Sequence, residues 1–210
     1  GGSGVVELTF QPEGEKSGLP VGRIKEILAG NDIETGMVAI LCEHQIPDKF
    51  PDKVIKEVEV FVTDFEKEKN KRIDLTDKLI VTIDGSDARD LDDAISIEKT
   101  SEGYILGVHI ADVGEYVRYN SNVDKEAFFR GTSVYFPDRV YPMLPEKLSN
   151  DLCSLNPNEE KLALTVEMNL DRLGEVQSYR IFESVIKSSA RLTYDQVYEV
   201  IRKFEKSEKN

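Results

Sequence analysis

The sequence is poor in the residues that most redox and transition-metal sites use. Of its 210 residues, two are cysteine and two are histidine. Cys42 and Cys153 lie far apart in unlike surroundings, so they read as reduced thiols of a cytoplasmic protein rather than as a disulfide framework. Cys42-x-His44 has no second ligand pair nearby, which argues against zinc. No apolar run is long enough to span a membrane, and no secretory signal pattern is present. Nothing in the chain calls for an obligate protein partner. Basic residues are also scarce, with 27 against 40 acidic ones and a formal net charge of −13. That balance alone argues against nucleic acid binding, because phosphate backbones favour basic surfaces.

What the chain does have is acid concentrated in one place. Residues 84–93 read Asp-Gly-Ser-Asp-Ala-Arg-Asp-Leu-Asp-Asp, five aspartates offset only by Arg89. The apolar run 79–83 (Leu-Ile-Val-Thr-Ile) leads into Asp84, and 94–97 (Ala-Ile-Ser-Ile) follows Asp93. The acids are therefore predicted in a loop between two strands. Carboxylates this close repel one another and cannot all stay ionised without cations. A ligand set made only of oxygen suits Mg2+, with Mn2+ able to substitute.

Around this loop the pattern is mixed. Residues 1–4 (Gly-Gly-Ser-Gly) read as an expression remnant outside the fold. Strands are predicted over 5–10 and 21–28, with turn chemistry over 11–20 and a close at 30–32. Residues 36–46 read as a short helix, and Pro51-Asp52 opens a second with Val54, Ile55, Val58 and Phe61 on one face. The charges of 66–72 suggest an exposed linker. Further strands are expected over 79–83, 94–97 and 104–111, where Tyr104, Leu106, Val108 and Ile110 share a face and His109 lies opposite. His109 reads as a buried structural histidine with Asp112 as a plausible partner. A helix is expected over 122–129, extended chain over 132–140 and irregular chain over 141–145, where Pro142 and Pro145 bracket the segment. Strands 162–170 and 176–186 should pair across the Asp171–Gly174 turn. Thr193-Tyr-Asp-Gln196 resembles a capping box opening a final helix through Phe204, before a polar tail.

The loop invites a specific chemistry. Asp84 ends a strand, and Asp90, Asp92 and Asp93 follow a turn that can fold back toward it. Such a strand-loop-strand can gather four carboxylates around a space of about 4 Å, the spacing of two-metal phosphodiesterases. The bland alternative is a solvated turn. The spacing excludes an EF-hand, since neither Asp84 nor Asp90 has ligands at the required later positions. Asp90-Leu-Asp92 has the spacing of an aspartyl-phosphate site, but Ala88-Arg89 is a poor strand before it. Asp87 sits mid-loop and reads as exposed. Tyr135 reads as core packing, with stacking on a nucleobase as the functional alternative.

Three segments together resemble the ribonuclease II / ribonuclease R family, and bacterial ribonuclease R above all. They are residues 82–94 (Thr-Ile-Asp-Gly-Ser-Asp-Ala-Arg-Asp-Leu-Asp-Asp-Ala), 107–113 (Gly-Val-His-Ile-Ala-Asp-Val), and 130–137 (Arg-Gly-Thr-Ser-Val-Tyr-Phe-Pro) running on through 142–157. The resemblance implies an α+β fold. Residues 76–210 would be the front portion of an RNB-type catalytic domain with a mixed or antiparallel sheet and helices. Residues 34–75 would link it to 5–33, the end of a partial OB-like cold-shock β-barrel. It implies Mg2+-dependent, processive hydrolysis of single-stranded RNA from the 3′ end to nucleoside 5′-monophosphates. Asp84, Asp90, Asp92 and Asp93 match the catalytic aspartates, with Asp84 and Asp93 like direct metal ligands. Asp92 resembles the acid whose loss leaves binding but stops cleavage. Tyr135 matches the tyrosine that stacks on the 3′-terminal nucleotide. In the family the catalytic domain continues further, with a catalytic arginine, a further base-stacking aromatic and most of the channel around the strand, and a first cold-shock domain and a C-terminal S1 domain add to the basic RNA-binding surface. A chain without them is expected to be inactive or weakly active. A non-catalytic RNA- or protein-binding module, or another metal-dependent phosphodiesterase, remains the alternative.

Overall fold

The computed structural model describes the backbone of residues 3–9, 21–28, 33–60 and 65–207, and the side chains of 36–60 and 65–204. The expected turn at 11–20 and the close at 30–32 lie outside the described residues. The chain divides into two compact units. One comprises residues 1–50 with 133–141, and the other residues 51–132 with 142–210.

The first unit holds strands β1 (Ser3–Thr9) and β2 (Val21–Leu28), which pair antiparallel with an irregularity between Val5 and Val6. Ser3 and Gly4 lie inside β1. Helix α1 (Ile33–Glu43) follows. The same unit contains the short hairpin of β7 (Val134–Tyr135) and β8 (Val140–Tyr141), whose turn is closed by Phe136 N–H donating to Arg139 O at 2.8 Å.

The second unit is built on a mixed sheet of β3 (Ile73–Asp74), β4 (Ile80–Asp84), β5 (Asp93–Lys99), β6 (Gly103–Ala111), β9 (Glu160–Asp171) and β10 (Val176–Thr193). The expected α+β class with a mixed sheet and helices is what the structure has. Strand β10 is 18 residues long and serves three partners, the short β3 among them. Residues 176–187 pair antiparallel with β9, and residues 188–193 run parallel to β4. Since β4, β5, β6 and β9 already pair in series, β10 closes the sheet into a ring. Five short helices accompany it: α2 (Asp52–Glu59), α3 (Phe65–Lys69), α4 (Val113–Tyr116), α5 (Asn122–Arg130) and, after β10, α6 (Tyr194–Ser207). A π-helical turn occupies Lys147–Leu152. The capping box at α6 forms in both directions: Gln196 N–H donates to Thr193 Oγ1 at 3.3 Å, and Thr193 N–H donates to Gln196 Oε1 at 2.8 Å.

A five-stranded ring is narrower than the barrels whose interiors just hold side chains, and this decides which face of each strand is buried. On β6 the buried residues are Gly103, Gly107, His109 and Ala111, whereas Ile110 on the apolar face is 43% exposed. Small residues and one polar chain line the β6 side of the interior, with Ile80 and Ile186 fully buried from β4 and β10. Ser96 Oγ lies 3.0 Å from His109 Nε2, His109 Nδ1 lies 2.8 Å from Thr165 Oγ1, and Thr165 Oγ1 lies 2.6 Å from Ser184 Oγ. His109 is buried as expected, but its partners are hydroxyls and not Asp112. Gly107 faces this network, and a Cβ there would overlap Ser96 Oγ and the His109 ring.

Asp112 is taken by Arg72 instead, at 2.7 Å, with Glu115 at 3.6 Å. The Arg72 side chain is 1% exposed, so the end of the charged run 66–72 is not a solvated linker. The reason is β3, which begins at Ile73 and draws the chain parallel to β10 at Ser184 and Val185. Lys69 is likewise tied down, to Glu160 at 2.6 Å.

Two outcomes are expected. Gly107→Ala should lower unfolding free energy by roughly 1–3 kcal/mol, because the added methyl must displace the Ser96–His109 pair. The second concerns pH. Burial, with the Lys78 charge second, pushes His109 down to about 4. Its folded value thus lies below an unfolded value near 6.5, so the unfolded chain takes up the proton first as pH falls. The contribution is intact above pH 6.5 and declines toward pH 4, by up to about 3 kcal/mol. Urea unfolding at pH 7 and pH 5 should show this loss in the wild type and a smaller one in His109→Gln.

Candidate active site: the aspartate loop

Asp84 is the last residue of β4 and Asp93 the first of β5, so the two antiparallel strands present them at the same end. Residues 85–92 connect them. Ala88 N–H donates to Gly85 O at 3.2 Å and starts the return turn. Gly85 lies close to the Asp87 side chain, so a Cβ there would sit 3.2 Å from Asp87 Oδ1 and ask that exposed carboxylate to shift slightly. Arg191, near the end of β10, reaches over and donates from Nη2 to Gly85 O at 3.2 Å and Ser86 O at 3.1 Å. At the other end, Leu91 is 2% exposed and acts as a plug. Its N–H donates to Ser154 Oγ at 3.1 Å, and its carbonyl accepts from Leu155 N–H at 2.9 Å. Ala111 N–H donates to Asp92 O at 2.9 Å. With Leu91 turned in, Asp90 and Asp92 on either side stay at the surface, Asp90 half-buried and Asp92 exposed.

Two of the predicted acids, Asp84 and Asp92, are perturbed by their surroundings. Burial raises the Asp84 carboxyl above its ordinary value, and the Asp93 and Asp90 charges add to this against Arg191. Asp92 is also raised. It is open by surface area, yet nearby protein still withdraws enough water to be the first cause, ahead of repulsion from Asp90, Asp93 and Asp84. Asp84 Oδ2 is buried and has no hydrogen-bond partner among the described residues. An orphaned buried carboxylate oxygen is costly unless a donor or cation meets it. The donors are of the right kind for a hard divalent cation, all of them oxygen. Among the described residues, however, no three His, Cys, Asp or Glu side chains are already gathered in coordination geometry. Asp87 is exposed, as expected.

Tyr135 belongs to the other compact unit from the aspartates. It is 65% exposed, which rules out core packing as its role. Cys153, next to the segment that holds the loop, has its thiol pushed up to about 12 by burial, with the Asp92 charge second, so it is inert as a nucleophile. Sequence reasoning missed Arg191, Ser154 and Leu91. Arg191 is 106 residues from Gly85 and Ser154 is 63 from Leu91, distances no local pattern reports.

Comparison with known proteins agrees with this architecture. The RNB domain model matches residues 72–210. The chain is 50% identical over 184 residues to ribonuclease R of Aquifex aeolicus (strain VF5), covering 86% of this chain and 26% of that protein. It is 46% identical over 202 residues to ribonuclease R of Escherichia coli (strain K12), covering 94% of this chain and 24% of that one. The chain thus spans about a quarter of the length of these curated relatives. Among solved structures, Mycoplasma genitalium RNase R in complex with double-stranded RNA superposes with a TM-score of 0.82 at 35% identity, covering 88% of this chain and 33% of that chain. On the matched domain and these identities, the chain belongs to the RNB family, that of ribonucleases II and R.

Proposed function

We propose that this chain is the front part of the catalytic domain of a 3′→5′ exoribonuclease that releases nucleoside 5′-monophosphates from single-stranded RNA. The observation that carries the reading is the placement of Asp84, Asp90, Asp92 and Asp93 at one end of β4 and β5, where the Asp90 and Asp93 charges add to burial in raising both Asp84 and Asp92. Asp84 offers a buried, unpartnered oxygen and would be a direct ligand of Mg2+ together with Asp93. Asp90 and Asp92 complete the cage. Bound there, Mg2+ or Mn2+ would lower the pKa of an attacking water and stabilise the leaving oxygen. Asp92 is the side chain best placed by its exposure to act on the water side. Tyr135 would stack on the terminal base, a contact that tolerates any sequence because every base has a π-face. That a relative is known in complex with RNA supports RNA as the partner. No helix among the described residues is long and apolar enough to cross a membrane, and both cysteines are free thiols, in keeping with a cytoplasmic setting. The chain's charge of −13 implies that the basic RNA-binding surface lies in other parts of the enzyme, and by itself the chain should show little or no nuclease activity.

A second reading is a non-catalytic RNA-binding module. What favours it is that the carboxylates are not already drawn into coordination. The decisive test replaces the matching segment of the Aquifex ribonuclease R with this chain. The chimera should release 5′-mononucleotides from the 3′ end, and Asp92→Asn should reduce the rate on the order of a hundredfold or more with RNA binding retained. A chimera that binds RNA but cleaves no faster than its Asp92→Asn form would establish the binding module.

Metal binding has its own signature in the chain as it stands. Because Asp84 and Asp92 titrate above their ordinary range, the folded state loses stability as pH rises through those values. At pH 7 in chelator, Asp84→Asn and Asp92→Asn should therefore melt higher than wild type. Millimolar Mn2+ should raise the wild-type melting temperature, by the equivalent of about 2.7 kcal/mol at 100 times the Kd, and should not raise that of either variant. Equal Mn2+ shifts in all three proteins would place the ion elsewhere.

A further inference from the structure

Ser154 occupies an unusual position relative to the acids. Its side chain is fully buried, although it belongs to a connecting segment between the π-helical turn and β9. Its Oγ accepts from Leu91 N–H at 3.1 Å and lies 3.3 Å from Arg89 O and 3.2 Å from Asn156 Oδ1. A hydroxyl has one proton to donate, so those two acceptors share it. The pair Arg89 O and Leu91 N–H matters most, because these groups flank Asp90. A single oxygen bonded to the carbonyl before a residue and to the amide after it spans both of that residue's backbone torsions. Ser154 thereby fixes φ and ψ of Asp90 through a contact 63–65 residues away in sequence. The adjoining residue continues the grip, since Leu155 N–H donates to Leu91 O at 2.9 Å and orients the peptide leading into Asp92.

We propose that Ser154 is a positioning residue for the acidic cluster, holding Asp90 and Asp92 at a set spacing from Asp84 and Asp93. It touches no reacting atom. It acts through the backbone of the loop, and a surface strand-to-strand loop of this length would otherwise relax outward under its own repulsion. The consequence for metal affinity rests on the reading of the four acids as ligands, whereas the grip on Asp90 does not.

The experiment compares wild type, Ser154→Ala and Ser154→Cys, with Asn156→Ala and Ile186→Val alongside. Ser154→Cys keeps the shape with a weak hydrogen-bonding group, in case the alanine variant folds poorly. Asn156→Ala removes the competing acceptor and leaves both loop bonds. Ile186→Val lowers stability from within the ring without touching the loop. Amide exchange at Leu91 is followed without metal, and Mn2+ affinity by water-proton relaxation. Both Ser154 variants should speed Leu91 exchange and weaken Mn2+ binding, each by about tenfold or more, the range expected when an outer partner of a metal ligand is lost. Asn156→Ala and Ile186→Val should leave both close to wild type. Unchanged Leu91 exchange and Mn2+ affinity in both Ser154 variants would overturn the proposal, as would an equal loss in Ile186→Val. If wild type binds no Mn2+, the metal reading falls by itself: faster Leu91 exchange in the Ser154 variants still upholds the grip, and unchanged exchange removes it.

Discussion

Strand β10 is the constraint on which the second unit depends. Its first two-thirds pair with β9 and its last third with β4, so one continuous segment turns an open series of strands into a closed ring. Closure removes two sheet edges that would otherwise present unpaired backbone groups. It also sets the interior width, and with it the identity of the residues inside. Gly107, Ala94, Ala163, Ser184 and Thr165 are small, and His109 is admitted only because hydroxyls meet both of its nitrogens. The same strand then delivers Arg191 to the acidic loop and Thr193 to the cap of α6. Scaffold and site are joined by a single run of backbone.

The acidic loop follows the opposite logic. Asp84 and Asp93 close the two strands at one end, and the groups that hold the loop between them bond to its backbone rather than to Asp84. Arg191 is the nearest cation to influence Asp84, yet it places its hydrogen bonds on the carbonyls of Gly85 and Ser86. Had its guanidinium formed a fork with Asp84, the carboxylate would be satisfied and closed to any other cation. Instead the arginine stabilises the loop's path and leaves Asp84 Oδ2 unpartnered. Local order comes here from backbone contacts, and one buried oxygen of Asp84 is left without a hydrogen-bond partner among the described residues.

How much of this could be read from the residues depended on how far each signal travels. The strands flanking the acids were legible because alternation and the Asp-rich break between them are local. The β9–β10 hairpin was legible from its Asp171–Gly174 turn, where Gly174 adopts a φ of 87°. The buried face of β6 was not, because Leu106 and Val108 look like core residues until the ring closes and leaves no space for them inside. Arg72 was hidden among the charges of 66–72, since burial of one member of such a run is decided by Asp112, forty residues on in the chain. Tyr135 stood out through the resemblance, while the choice between core and surface came only from its exposure. Ser154 lay in full view within a quoted motif, but a serine reports nothing until its two partners around Asp90 are known.

The acids and the groups that hold them therefore differ in kind. An aspartate near other aspartates announces itself, because unpaired like charge has few benign explanations. The holding groups are neutral or bond only through backbone, and each hydrogen bond nets about 1 kcal/mol. No one of them could restrain mutually repelling carboxylates, so the restraint must be distributed. It reaches the loop from β10 through Arg191, from β6 through Ala111, and from the segment before β9 through Ser154 and Leu155. Strands β6 and β10 both pair with β9, so displacing the loop means displacing strands that share a partner in the ring. A loop supported this way keeps its carboxylates on one restrained path, and the cation proposed for it would meet a backbone already held by three separate segments.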